Sequence, residues 1–97
     1  MRGGGAMTSR CPRRVAGLVV AEAAGAWVVR QPARGRVHYL NAAAALALEL
    51  CTGDNEWPAI IDLVCAATGA PAGARAEVER VLQAALDEGL IVDGTAP

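Results

Sequence analysis

The sequence predicts an α+β domain in which a three-stranded antiparallel sheet is followed by three α-helices. Three observations point there. Two runs rich in valine and alanine, Val15–Ala23 and Ala26–Gln31, flank the turn pair Ala24-Gly25, the pattern of a β-hairpin. A third short run, Arg36–Leu40, meets Asn41 and an alanine- and leucine-rich stretch with no loop between them. Further on, Val78, Val81, Leu82, Ala85 and Leu86 fall at i, i+3, i+4, i+7 and i+8, the stripe of an amphipathic helix.

Taken in order, residues 1–14 are glycine- and arginine-rich and show no period. They are expected to be a disordered tail, with residues 15–97 forming one domain. In the second strand Trp27 and Val29 share one face and Val28 and Arg30 the other, because side chains alternate along a strand. Pro32-Ala33-Arg34-Gly35 breaks the pattern before the third strand. The simplest topology is a meander, which leaves the third strand at an edge. Alternation alone leaves open whether His38 and Leu40 or Val37 and Tyr39 face inward.

The first helix is expected from Ala42 to about Cys51, with a stop at Gly53. Asn41 suits its N-cap, since the side-chain oxygen can accept from an unpaired amide of the first turn. Leu40 just before it is placed to cover that turn. The second helix starts at Trp57-Pro58, where proline is tolerated, and ends at Gly69. The third spans about Ala74 to Glu88, Gly89 ends it, and Leu90-Ile91-Val92 returns to the core as an extended tail.

Composition narrows the function. Ninety-seven residues with two Trp, one Tyr and no Phe pack helices closely but give little bulk for a deep substrate pocket. The net charge of −1 hides an asymmetry: residues 1–36 carry +6 and residues 37–97 carry −7, with arginine as the only strong base. Three cysteines without a CxxC pair, and a single histidine, suggest neither a disulfide framework nor a metal site. Cys51 and Cys65 fall at apolar helical positions and are expected to be buried thiols. No signal peptide or membrane-length apolar run is evident, so a cytoplasmic location is expected, with no membrane partner and no cofactor.

The strand ending in Leu40-Asn41, the alanine-rich helix, Cys51-Thr52-Gly53, the Ile60-Ile61 pair and the closing Glu88-Gly89-Leu90-Ile91 resemble the PqqD-like family over roughly residues 15–93. The resemblance implies a winged helix-turn-helix-like fold and a small peptide chaperone, the recognition element for ribosomally made, post-translationally modified peptides. Such a protein binds the leader of a precursor peptide as a strand added beside the third strand, and presents it to a modifying enzyme, often a radical S-adenosylmethionine enzyme. Two positions depart from the family pattern. Pro32-Ala33-Arg34-Gly35 replaces the Pro-Glu-Gly-like turn of members serving pyrroloquinoline quinone synthesis, which weighs against that pathway specifically. Glu56 stands where many members cap the second helix with Thr, although a carboxylate still favours a helix N-terminus.

An exposed strand edge beside an amphipathic helix suits β-strand addition, in which backbone bonds give affinity and side-chain pockets give register. The expected peptide-binding residues are Arg36, Val37, His38, Tyr39 and Leu40 on the strand and Arg75, Val78, Leu82 and Ala85 on the third helix, with Arg75 or Arg80 available to a leader carboxylate. The plain alternative makes the helix residues ordinary core and His38 a strand-surface histidine with no catalytic partner.

Among competing functions, nucleic-acid binding by a winged helix needs basic residues on the recognition helix. Here Arg75 and Arg80 are outnumbered by Glu77, Glu79, Asp87 and Glu88, so no nucleic-acid partner is expected. An enzyme is disfavoured by scattered cysteines and the lack of a phosphate loop. A strand-paired or swapped homodimer through the same edge would compete with peptide binding.

Overall fold

Ala24 and Gly25 both adopt positive φ, +53° and +80°, the two-residue turn whose twist matches that of a hairpin. The computed structural model describes residues 10–69 and 73–93. The elements are β1 (Arg13–Arg14), β2 (Val19–Ala23), β3 (Ala26–Gln31), a 3-10 turn (Pro32–Arg34), β4 (Arg36–Leu40), α1 (Ala42–Glu49), α2 (Trp57–Thr68), α3 (Ala74–Asp87) and β5 (Ile91–Val92). β2, β3 and β4 form an antiparallel meander with β4 at an edge. The three helices follow it, in the α+β, winged helix-turn-helix-like order that the sequence predicts.

The register settles which face of β4 turns inward. Trp27 pairs with Leu40, Val29 with His38 and Gln31 with Arg36. Val29 is fully buried, whereas Val37 and Tyr39 on the opposite face are 50% and 76% exposed. His38 and Leu40 therefore point towards the helices. All of β2 is exposed, so the β2–β3 hairpin stands out as the wing. The core lies among the three helices, joined by Val29 from the sheet and by Leu90 and Ile91 from the C-terminal end.

Asn41 turns the chain directly from strand to helix. Its Oδ1 accepts from the Ala44 amide at 2.8 Å, which satisfies one of the first-turn donors that otherwise have no partner. α1 ends at Glu49, short of the expected Cys51. Asn55 Nδ2 donates to the Leu50 carbonyl at 2.9 Å, filling an acceptor left open at the helix end. Gly53, with φ +93°, shapes the following loop rather than the helix stop. The Glu56 side chain makes no capping bond at the start of α2.

Two segments differ from expectation. Residues 15–18 are not strand, because Gly17 at φ +87° takes the chain out of the extended region; β2 starts at Val19. Residues 10–14, expected to belong to a structureless tail, are built into the fold, while residues 1–9 lie outside the described residues. Arg13 and Arg14 pair with Val92 and Ile91, and Pro12 is fully buried. The amides of Gly53 and Trp57 donate to the carbonyls of Pro12 and Arg10 at 3.0 and 2.8 Å, and the Arg14 amide donates to Cys51 O at 3.0 Å. The Arg10 guanidinium lies 4.0 Å from the centroid of a Trp57 ring and pairs with Asp93 at 3.0 Å. The segment thus straps the α1–α2 loop to the C-terminal strand.

All three cysteines are free; Cys51 is buried, whereas Cys65 and Cys11 are only half-buried. The Cys51 thiol donates to Ala47 O at 3.2 Å. Burial pushes its pKa up to about 11, partly offset by the positive charge of Arg14. Among the described residues no helix is long and apolar enough to cross a membrane.

Replacing Asn41 with Ala removes the cap and should cost about 1 kcal/mol of unfolding free energy, read from urea denaturation. The raised Cys51 pKa means that the folded state holds its proton more tightly than the unfolded chain. Stability from this group is therefore complete below about pH 9 and is lost as pH rises towards about 11. Melting curves across that window should fall more steeply for the parent protein than for Cys51→Ala.

Candidate functional site

The outer edge of β4 has no strand partner among the described residues. Beneath that edge a cleft of about 260 Å³ opens between β4, α1 and α3. His38 and Leu40 form its sheet wall, Ala44 and Leu48 come from α1, and Val81, Leu82, Ala84 and Ala85 come from α3, with Cys51 and Leu90 behind. Periodicity explains the assembly. Ala44 and Leu48 are four residues apart on α1, and Val81, Leu82 and Ala85 lie on one stripe of α3.

One end of the cleft is tied together. Arg36 Nη1 pairs with Glu88 Oε1 at 2.6 Å, Arg34 Nη1 donates to Glu88 O at 3.2 Å, and Gln31 Nε2 donates to Gly89 O at 3.1 Å. Cations at the C-terminus of α3 also suit its negative dipole end. Gly89 has φ +76°, a left-handed conformation that favours glycine, and the Arg34 guanidinium lies against it. Two buried polar atoms on the same sheet face, His38 Nε2 and Gln31 Oε1, have no hydrogen-bond partner among the described residues.

A second cavity, about 390 Å³, lies between the inner sheet face and α1, lined by Trp27, Val29, Ala42, Ala45 and Leu46 with Arg14 and Glu49 also at its wall. Leu40 and Leu48 line both spaces and stand between them.

Of the residues singled out from the sequence, His38, Tyr39, Leu40, Leu82 and Ala85 meet at the first cleft. Tyr39 borders its mouth with its side chain largely in solvent. Arg36 sits at the tied end. Val37 lies on the outer sheet face, Val78 is buried in the core, and Arg75 pairs with Asp62. Arg80 is likewise paired, with Glu77, so both arginines of α3 already face carboxylates. Asn41, Ala44, Leu48, Val81, Ala84, Glu88 and Leu90 were not among the residues singled out; for Val81 the stripe itself held the signal, and for Ala44 and Leu48 the four-residue spacing did.

The arrangement offers backbone hydrogen-bonding groups along an edge, an apolar recess below and a fixed end. Cys51 is a poor nucleophile, since its buried thiol stays protonated. Among the described residues no three His, Cys, Asp or Glu side chains come together as a metal site.

The family model for coenzyme PQQ synthesis protein D matches residues 26–91. No curated protein and no solved structure matches the chain. The matched span runs from the start of β3 to the first residue of β5, and so takes in the open edge, the cleft and all three helices. It exceeds half of the sequence, and the chain belongs to the PqqD family.

Proposed function

We propose that the protein is a non-catalytic peptide chaperone. It binds the leader of a ribosomally made precursor peptide by adding it as a strand to β4, and presents it to a peptide-modifying enzyme such as a radical S-adenosylmethionine enzyme. The observation that carries this reading is the free β4 edge directly above an apolar cleft. Membership of a family named for coenzyme PQQ synthesis supports a role in peptide-derived biosynthesis.

The apolar cleft of about 260 Å³ lies where the inward side chains of an added strand would point. A leader strand beside β4 would send alternate side chains down towards Leu82 and Ala85. His38 lines the cleft, and its Nε2 is buried without a hydrogen-bond partner among the described residues. A leader carboxylate near Arg36 would have to compete with Glu88 for its guanidinium.

The test is to titrate the short precursor encoded in the same gene neighbourhood into isotopically labelled protein. Amide shifts should saturate and concentrate in residues 36–41 and 81–90. Shifts scattered over α2, or equal shifts with duplex DNA at low salt, would overturn the reading. Ala85→Phe fills the cleft from a half-buried position and should weaken leader binding about tenfold, or about 1.4 kcal/mol, without unfolding the protein. Calorimetry of the variant checks this.

A further inference from the structure

The sheet has a second face that the cleft does not use. Register places Val19, Arg30 and Val37 in one row across the outer surface and Ala21, Val28 and Tyr39 in the next. Val19, Val37 and Tyr39 are 45%, 50% and 76% exposed, and they make up half of the large apolar side chains left exposed among the described residues. Among the described residues no element covers this face. The only acid of the three strands, Glu22, lies opposite Trp27 and so belongs to the inner face. Arg30 is the single charge on the outer one, and it makes no ion pair among the described residues.

The helical surface is different in kind. It is rich in charge, and its arginines are neutralised internally by Asp62 and Glu77. An exposed apolar patch on a small domain marks a contact surface, and tyrosine and arginine are the residues that interfaces favour. A guanidinium with no acid beside it on this face suits a carboxylate on a partner.

We propose that the outer sheet face, centred on Arg30, docks the peptide-modifying enzyme through an enzyme surface of apolar side chains around a carboxylate, and that the bound leader completes this face. The second half of the proposal rests on strand addition at β4. A strand added there sends one set of side chains into the cleft and the alternate set onto the outer face beside Val37 and Tyr39. The enzyme then meets protein and leader as one continuous surface. It binds the loaded chaperone more tightly than the empty one, and by linkage it tightens leader binding in turn.

The experiment uses the full chain, with the precursor and the modifying enzyme encoded in the same gene neighbourhood, each purified. Arg30→Glu and Val19→Glu alter exposed positions on β3 and β2, away from the β4 edge, and Arg30→Lys keeps the charge. Leader affinity should stay within about threefold in all three, while enzyme affinity falls about tenfold or more in the two glutamate variants and is largely kept in Arg30→Lys. For the parent protein, leader should raise enzyme affinity by about fivefold or more. Enzyme binding unchanged in Arg30→Glu and Val19→Glu, with leader still bound, overturns the docking face. Enzyme affinity indifferent to bound leader overturns the composite surface. Failure of the parent protein to bind leader overturns strand addition instead, and the response of leader-free enzyme binding to Arg30→Glu then decides the docking face by itself.

Discussion

Leu40 ends a strand and Ala42 begins a helix, and the whole change of direction falls on Asn41. With no loop at this junction, the path of α1 is set by the path of β4, and the Asn41–Ala44 hydrogen bond at 2.8 Å holds the two at a fixed angle. Leu40 then stands as the wall between the two recesses, one against α1 and one towards α3. A longer connection would let the helix drift against the sheet, and neither recess would keep its shape. The cleft is therefore a product of local chain geometry before it is a product of packing.

The far end of the cleft is held by a different means. Gln31, Arg34 and Arg36 reach across to residues 88 and 89, so three side chains from the turn and strand meet the last turn of α3. The exposed Arg36–Glu88 pair contributes little stability by itself, since such pairs are worth about 0–1 kcal/mol. Its effect is on spacing: together with the two contacts to backbone carbonyls it sets how far β4 stands from α3. The positive φ of Gly89 allows the chain to leave α3 and come under the sheet at that point. Leu90 and Ile91 can then bury themselves at 4% and 1% exposure.

Much of this was legible in the sequence, and the parts that were not have physical reasons. Asn41, Gly69 and Pro58 act locally, so the start of α1 and both ends of α2 follow from nearby residues. The turn at Ala24-Gly25 and the extent of β3 and β4 follow in the same way. Arg13-Arg14 has no strand propensity; it becomes a strand only because Ile91 and Val92 offer backbone partners from the other end of the chain. Val15–Leu18 looked extended by composition, and Gly17 alone overrides it. The inward face of β4 needed the register with Trp27 and Val29, which alternation cannot supply. On α3, the stripe alone could not separate Val78, which lines no part of the cleft, from Leu82 and Ala85, which do, since Val78 and Leu82 are both buried in the core. The pairing of Arg75 is not visible in sequence because Asp62, its partner, lies on another helix.

The pairing of β1 with β5 has a consequence for how the fold can be used. The first and last strands of the described chain run side by side, so both ends leave the domain from neighbouring points. A fold with adjacent ends can be inserted into a loop of another protein, or joined to it at either end, with little change in where it sits. Because β1 is held by backbone bonds to Cys51, Ile91 and Val92 rather than by a side chain that reads a partner, such a fusion would inherit its anchoring from the fold itself.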